Sequence, residues 1–421
     1  MSRVVDAVLP TRMGTSFRWL VGSSWVGHLA DGIAVAAGPL LVASQTQDPL
    51  LVALAALLQR LPWVLFGLYA GVLADRVDRR LLVIAVDLMR AGVLAVLVTT
   101  LVTGHVHVGV VLAALFALGT AEVFADTTAG TLLPMVVDRA DLGIGNARLM
   151  AGGITMNELA GPAVGAALFA AGMAWPFVVQ AVCLVLSTLL LSRMVVPPTV
   201  APSGPRHLGR EIAEGFRWTW GNGPVRTLTL TIVTFNVTYG AAWSVLVLYA
   251  DQRLGLGAVG FGLLTTVGAV GGMVGTASYD WLEWHASLAT LMRVGLVVET
   301  LTHLVLAVTT STAVAMAVLF VFGVHAFIWG TTSRTVRMRA VPTELQGRVG
   351  SLYLMGVFSG MVLGQGLGGG IARIWGVTGP FWFAFVGSAV LLALIWRELA
   401  HIAHAEGPTG QTAEVREEVT A

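Results

Sequence analysis

Long apolar runs separated by short polar turns recur along the whole chain. Each run holds roughly 20 residues or more, which a helix needs to cross a hydrocarbon core about 30 Å thick. We expect twelve transmembrane helices, near residues 17–44, 50–74, 81–102, 109–137, 147–172, 175–196, 225–250, 258–279, 286–309, 313–340, 350–375 and 379–399. The pattern therefore predicts an all-α integral membrane protein.

The order of these helices indicates two pseudo-symmetric bundles of six. We expect an N-terminal bundle at 1–196, a cytoplasmic linker at 197–224, a C-terminal bundle at 225–400 and a disordered cytoplasmic tail at 401–421. The linker begins with a proline-rich stretch that cannot continue a helix. Residues 209–218 form an amphipathic segment that we expect to lie on the membrane surface. Gly71 and Gly275 occupy equivalent places in the two halves, which favours an internal repeat.

Composition indicates the same class of protein and predicts its orientation. The chain is 56% hydrophobic and 11% charged, with a mean hydropathy of +0.82, which is too little polar surface for a water-soluble globule. Arginines concentrate before the first helix, after helices two and four, and in the linker, so both termini are expected to be cytoplasmic. The net charge of +1 is explained by this topology, and we expect no nucleic-acid partner. The single Cys183 excludes an internal disulfide and argues against a thiol-ligated metal.

The turn at 71–80, between the second and third helices, reads Gly-Val-Leu-Ala-Asp-Arg-Val-Asp-Arg-Arg. It resembles the loop signature of the major facilitator superfamily, except that Asp78 stands where many members have glycine. The resemblance implies the fold of that superfamily, with helices one, four, seven and ten lining a central cavity. It also implies transport by alternating access.

The finer pattern resembles the drug:proton antiporter subfamily that includes macrolide-efflux and siderophore (enterobactin) exporters. Its marks are Phe-Arg-Trp-Leu at 17–20, Leu-Pro at 61–62, Asp-Leu-Met-Arg-Ala at 87–91, Leu-Pro at 133–134, Asn146, and Pro-Thr-Glu-Leu-Gln-Gly-Arg-Val at 342–349. In the fifth helix, Gly161, Pro162 and Gly165, with Gly153 upstream, are similar to the antiporter motif of the subfamily and favour export. The alternative is ordinary helix packing, since a proline bends a helix and glycines permit close contact.

The resemblance gives the loop a gating role. The predicted gating residues are Gly71, Asp75, Arg76, Arg79, Arg80, Asp87 and Arg90. We expect Asp75 to cap or contact the other half at the cytoplasmic face, and the three loop arginines to lie near the inner leaflet. Asp87 and Arg90 would extend the charge network into the third helix. Because the segment after Gly275 contains no arginine, the gate is expected to work from one side.

Carboxylates near mid-span are the candidate proton-coupling groups, because a charge inside the bilayer is expensive and is usually functional. They are Asp31, Glu122, Asp126 and Glu158. Glu122 and Asp126 lie four residues apart on one helix face, where repulsion favours a bound proton on one of them. The alternatives are a satisfied internal hydrogen bond for Asp31 and for Glu122, and an ion pair between Asp126 and Arg90. For a fifth carboxylate, Glu299, a local pair with His303 is the favoured interpretation.

Aromatic and polar side chains that share helix faces are the candidate substrate contacts. They are His28 in the first helix, Asn236, Tyr239 and Trp243 in the seventh, and His325 and Trp329 in the tenth. Such mixed faces suit a bulky amphipathic ligand, although aromatic residues at helical spacing also simply pack together.

These features predict a proton-coupled exporter of an amphipathic small molecule such as a drug, macrolide, siderophore or secondary metabolite. We expect a monomer in the plasma membrane of a prokaryote, driven by the proton gradient, with no cofactor and no metal. No nucleophile with a positioned base is evident, so we do not expect an enzyme. The alternatives are a proton-coupled importer or uniporter, and a non-transporting sensor or integral enzyme built on the same fold.

Overall fold

The computed structural model describes residues 11–196 and 208–399, and every regular element in these ranges is helical. The predicted proline-rich stretch at 197–205 and tail at 401–421 lie outside the described residues. The helices are α1 (Gly14–Gln45), α2 (Pro49–Ala74), α3 (Arg79–Val102), α4 (Val108–Ala129), α5 (Leu133–Val136), α6 (Leu142–Gly152), α7 (Gly161–Ala171), α8 (Trp175–Ser192), α9 (Leu208–Gly221), α10 (Gly223–Trp243), α11 (Leu246–Gln252), α12 (Ala258–His285), α13 (Leu288–Val308), α14 (Thr312–Ala340), α15 (Gln346–Trp375) and α16 (Gly379–Ile395). A π-helix at Gly153–Ala160 joins α6 to α7.

Eleven helical stretches of the described chain are long and apolar enough to cross a membrane. The last helix, Gly379–Ile395, is also apolar but has only 17 residues. The predicted all-α, membrane-spanning fold is thus confirmed. The amphipathic segment of the linker is also helical, and it lies within α9.

Polar caps and prolines set where several of these helices begin. Asp48 and Asp78 each accept a hydrogen bond from a backbone N–H in the first turn of α2 and α3, at 3.0 Å in both cases. Asn222 caps α10 in the same way, at 3.1 Å. Pro176 and Pro380 stand in the first turn of α8 and α16, where a missing N–H costs nothing. These caps satisfy donors that a membrane helix would otherwise leave unpaired.

Two predicted spans contain a break: the fourth ends earlier than expected, whereas the seventh keeps its expected length, Gly223–Gln252, as two helices in line. The fourth was expected to run to residue 137, but α4 ends at Ala129 and a turn leads into the short α5, with Pro134 in its first turn. The seventh was expected to run to residue 250, but α10 ends at Trp243. At this break the hydroxyl of Ser244 donates to the carbonyl of Ala241 at 2.9 Å, so a side chain occupies a helix acceptor.

Contacts divide the chain into two units. The first contains α1 to α8 together with Leu246–Thr266, and the second contains α9, α10, the rest of α12, and α13 to α16. The sequence placed residues 225–400 in one bundle, whereas Leu246–Thr266 makes its contacts in the first unit. There the side-chain amide of Gln252 donates to the side-chain oxygen of Gln47 at 3.0 Å.

Within the second unit, α10 and α15 approach closely through glycines. A Cβ at Gly360 would lie 2.6 Å from the carbonyl oxygen of Val233, and one at Gly240 would lie 2.6 Å from that of Met361. Any side chain at these positions would push the helices apart. The glycines are therefore explained by helix packing in lipid, where close approach replaces hydrophobic burial as the source of attraction.

Candidate functional site

Arg90 on α3 is the centre of a buried ionic cluster in the first unit. Its guanidinium forms an ion pair with Asp31 of α1 and, with 3.3 Å between Nη1 and Oδ1, a second one with Asp87 on its own helix. The relative exposures of Asp31, Asp87 and Arg90 are 5%, 5% and 3%. A guanidinium stays charged even when buried, so it needs carboxylate partners here.

Two further carboxylates on α4 belong to the same cluster. Asp126 interacts electrostatically with Asp31, Asp87 and Arg90. Glu122 interacts with Asp31 and Arg90. The alternative of a direct ion pair between Asp126 and Arg90 is not observed, because the ion pairs of Arg90 among the described residues go to Asp31 and Asp87. Two carboxylates thus pair with Arg90 and two more lie within electrostatic range of it, and full ionisation of all four would leave excess negative charge inside the membrane.

A cavity of about 260 Å³ opens beside this cluster. Its polar lining consists of Ser23, Ser24, His28, Asp31, Asp87, Arg90, Asp126 and Ser187. The volume suits several water molecules at roughly 30 Å³ each, but it falls below the roughly 300–1,000 Å³ of a pocket for a drug-sized ligand. The arrangement is suited to hydrating and protonating carboxylates rather than to enclosing a bulky molecule.

Close packing of α1 against the fifth span positions Asp31. A Cβ at the next residue, Gly32, would lie 2.5 Å from the carbonyl oxygen of Asn157, and one at Gly165 would lie 2.6 Å from that of Ile33. Gly161 faces Gly32 across this contact. These glycines of the predicted antiporter motif therefore have a packing reason for being glycine.

The π-helix beside this contact has a local cause. Pro162 has no N–H to donate to the carbonyl of Glu158, so the regular bond from residue i to i−4 cannot form there. Glu158 lies within the π-helix and interacts electrostatically with Arg60 of α2. Gly153 starts the π-helix, and a Cβ there would lie 3.8 Å from Nε2 of His28.

Arg60 is a residue that the sequence analysis missed. It lies in the middle of α2, where an arginine inside an apolar span is a signal that could have been used. Its electrostatic partners include Glu122 and Glu158. The hydroxyl oxygens of Ser23 and Ser187 lie 2.9 Å apart. The sequence did not predict this contact, because single serines in apolar helices form no distinctive pattern.

The loop that begins near Gly71 is held by contacts within the first unit. Arg79 pairs with Asp75 at 3.2 Å and donates from Nε to the carbonyl of Ala74 at 3.2 Å. Arg80 donates to the carbonyls of Leu191 and Ser192 at the end of α8. Arg79 and Arg80 therefore bind protein groups, and their expected place near the inner leaflet stays a prediction.

Two other loop residues lie as follows. Asp78, the departure from the superfamily signature, is the N-cap of α3. Arg76 is exposed. The loop is thus a braced turn between α2 and α3, and its predicted gating role stays a prediction.

Most of the predicted substrate contacts of the second unit come together in an aromatic cluster. Tyr239 and Trp243 lie 4.5 Å apart between ring centroids, and both meet Phe322 of α14, at 5.9 and 4.6 Å. His325 and Trp329 continue this surface along α14, with 6.2 Å between their ring centroids. These contacts make one continuous aromatic surface.

Asn236 does not join the aromatic cluster. Its amide donates to the carbonyl of Ile232 at 2.7 Å, and it packs against Gly360. His28, the remaining predicted contact, lines the cavity of the first unit. The favoured local pair is observed, since His303 lies 2.8 Å from Glu299, and His325 faces the same carboxylate.

The fold is similar to that of several solved structures that are described as transporters. The chain is similar to a mutant form of the nucleoside transporter NupG, with a TM-score of 0.78 and 10% identity over 91% of this chain and all of that one. It is also similar to an inward-facing bacterial homologue of the iron transporter ferroportin, with a TM-score of 0.71 and 17% identity over 92% of this chain and 98% of that one. A bacterial homologue of the human lysosomal transporter Spinster has a TM-score of 0.63 and 15% identity, over 92% and 94% of the two chains.

No curated protein matches the sequence. Residues 7–411 match the family described as transmembrane secretion effector. This match covers nearly the whole chain, and the similar structures have the same all-helical fold. The chain therefore belongs to the transmembrane secretion effector family, a family of major facilitator transporters, and it is a multi-pass membrane transporter rather than an enzyme.

Proposed function

We propose that this transporter exports an amphipathic small molecule in exchange for protons, and that the carboxylates around Arg90 carry the proton. One observation carries the proposal: Asp31, Asp87, Glu122 and Asp126 all interact with a single buried arginine. Burying unbalanced negative charge is costly, so the cluster favours binding of protons. The adjoining cavity gives water a place beside three of these carboxylates.

The geometry suggests how a proton changes the structure. Asp31 and Arg90 link α1 to α3. A proton on Asp31 removes its charge and weakens that link, so the guanidinium turns towards the charges of Glu122 and Asp126 on α4. Protonation would thus transfer an ionic bond from one pair of helices to another. Such a switch between two arrangements is what alternating access requires.

The ligand class follows from the aromatic cluster of the second unit. Tyr239 and Trp243 are half-buried aromatic rings packed on the buried Phe322, and an aromatic cluster of this kind suits an amphipathic molecule such as a macrolide, a siderophore or another secondary metabolite. The name of the family is consistent with export. We place the protein in the plasma membrane of a prokaryote as a monomer with both termini cytoplasmic, driven by the proton gradient without a cofactor.

Everted membrane vesicles test the proposal, with ethidium, erythromycin and enterobactin as probes. With an imposed proton gradient, the wild-type protein should accumulate at least one probe inside the vesicles. Asp31→Asn and Glu122→Gln should lose this accumulation. Asp141→Asn is the matched control, because it neutralises a paired carboxylate near the surface, 2.8 Å from Arg12. Size-exclusion chromatography would check that each variant is folded.

Three outcomes would contradict the proposal. Full activity in both Asp31→Asn and Glu122→Gln would remove the proton-coupling role of the cluster. Uptake of a probe only into right-side-out vesicles would indicate an importer. Movement of all three probes that is insensitive to the proton gradient would indicate a uniporter.

A further inference from the structure

A second cluster of ionisable side chains lies inside the second unit. Glu299 and His303 are one turn apart on α13, and His325 is on α14. Their relative exposures are 1%, 0% and 5%. Oε1 of Glu299 is hydrogen-bonded to Nε2 of His303 at 2.8 Å, and Oε2 lies 3.6 Å from Nε2 of His325. One carboxylate therefore stands between imidazoles from two helices.

Neighbouring residues shape the site of this triad, Glu299, His303 and His325. A Cβ at Gly295 would lie 2.7 Å from Nδ1 of His325, so this glycine makes room for the imidazole. The indole of Trp243 meets the ring of His303 at nearly a right angle, with 6.0 Å between centroids. Within residues 11–196 and 208–399, neither ring nitrogen of His325 has a hydrogen-bond partner. Oε2 of Glu299 likewise has none in this part of the chain, so donor and acceptor face each other just beyond hydrogen-bond distance.

The charge of Glu299 has to be balanced by these two histidines. They are its electrostatic partners, and α16, which packs on α13, contains no ionisable residue. The other ionisable residues of α10, α12, α13 and α14 are Arg226, Tyr239, Tyr279, Asp280, Glu283, His285, Arg293, Arg334, Arg337 and Arg339. Apart from Tyr239, they lie towards the ends of these helices rather than beside the triad. Nor are the three side chains arranged as metal ligands, since no such group occurs among the described residues.

This triad differs from the cluster around Arg90 in the residue type that balances the carboxylate. An arginine is a permanent counter-charge, whereas a histidine gains and loses a proton between about pH 5 and 8. With one imidazolium the triad is neutral, and with none it has an uncompensated buried charge. We propose that Glu299, His303 and His325 form a proton-binding site of the second unit, which holds one exchangeable proton shared between two helices through the carboxylate.

The position of the proton determines which helices the site joins. When the proton is on Nε2 of His303, this nitrogen donates the observed hydrogen bond to Oε1 of Glu299. Both residues belong to α13. When the proton is on Nε2 of His325 instead, that ring closes the 3.6 Å gap and donates to Oε2, which ties α14 to α13. The site goes beyond the proposed function and does not depend on it, because proton binding here is measured without transport.

Solid-state ¹⁵N NMR on the full chain in lipid bilayers, labelled at its nine histidines, tests the site. The variants His303→Asn and His325→Asn assign the two resonances. Between pH 9 and pH 5.5, we expect the wild-type triad to take up one proton, shared by both residues. Glu299→Gln should abolish the imidazolium signal from both. Thr300→Val is the matched control, because it alters a buried polar residue of α13 whose hydroxyl contacts only the carbonyl of Leu296 among the described groups.

A second variant keeps the test decisive if Glu299→Gln does not fold. Gly295→Ala places a methyl group against the imidazole of His325 and leaves the charges of the triad intact. We expect the imidazolium signal to be confined to His303 in this variant. The proposal is overturned if both imidazoles of the wild-type triad remain neutral from pH 9 to pH 5.5. It is also overturned if Gly295→Ala leaves the shared titration unchanged.

Discussion

Gly32 holds α1 against the π-helix, and replacing it with alanine tests how Asp31 is positioned. The new methyl group would lie 2.5 Å from the carbonyl oxygen of Asn157 and 2.8 Å from that of Met156. Ordinary contacts of a Cβ begin at 3.4 Å, so the helices must separate by about 0.6–0.9 Å. Overpacking of this kind costs about 1–3 kcal/mol. We expect the free energy of unfolding to fall by that amount relative to a matched control.

Gly22→Ala is that control, because it lies on the same helix and its Cβ would meet only the Leu190 side chain, at 3.7 Å. Both variants gain the same helix propensity, about 1 kcal/mol, so their difference isolates the steric clash. Denaturant unfolding in detergent, followed by tryptophan fluorescence, gives the stabilities. Proton-driven efflux in everted vesicles should be lost in Gly32→Ala, since α1 carries Asp31 away from Arg90. Equal stability and equal efflux in the two variants would refute the reasoning.

Two further contacts allow predictions of a change in the free energy of unfolding. Arg80→Ala removes the guanidinium that donates to the carbonyls of Leu191 and Ser192, and should lower the free energy of unfolding by about 1–2 kcal/mol. Denaturant titration measures this, and an effect as large in Arg80→Lys as in Arg80→Ala would mean that the geometry of the guanidinium is the essential part. In a double-mutant cycle of Ser23→Ala and Ser187→Ala, we expect a coupling energy of about 0.5–1 kcal/mol from the contact between the two hydroxyls. Their two protons are divided between this contact and the backbone carbonyls of Ser187 and Ser23. A coupling of zero would show that those backbone bonds suffice.

The number and type of the membrane helices could be predicted from the sequence because hydropathy acts over whole spans. The interruptions could not, since they depend on single contacts. The break after Trp243 accompanies a hydroxyl of Ser244 that bonds back to the helix. The helix α4 ends at Ala129, although the sequence of the turn that follows it is still largely apolar. Average hydrophobicity does not distinguish a straight helix from two helices in line.

Carboxylates of the candidate site could be predicted from the sequence, but which of them pairs with Arg90 could not. The cost of intramembrane charge was sufficient to select Asp31, Glu122 and Asp126. Which carboxylate binds Arg90 depends on the rotation and depth of α1, and the close contact of Gly32 with Asn157 and Gly161 constrains both. The sequence assigned His325 to a substrate-contacting face because spacing shows a shared face without showing what lies opposite. Opposite it lies a carboxylate.

Buried carboxylates in the two units have different partners, an arginine in the first unit and histidines in the second. This difference determines what a proton would do to each interhelical contact. Around Arg90 the cation is permanent, so under the proposed function an added proton would go to a carboxylate and weaken the ion pair between α1 and α3. Around Glu299 the partners are imidazoles, so under the proposal for the triad an added proton would make one of them a cation and strengthen its bond to the carboxylate. The same fall in pH would therefore loosen an interhelical contact in the first unit and tighten one in the second.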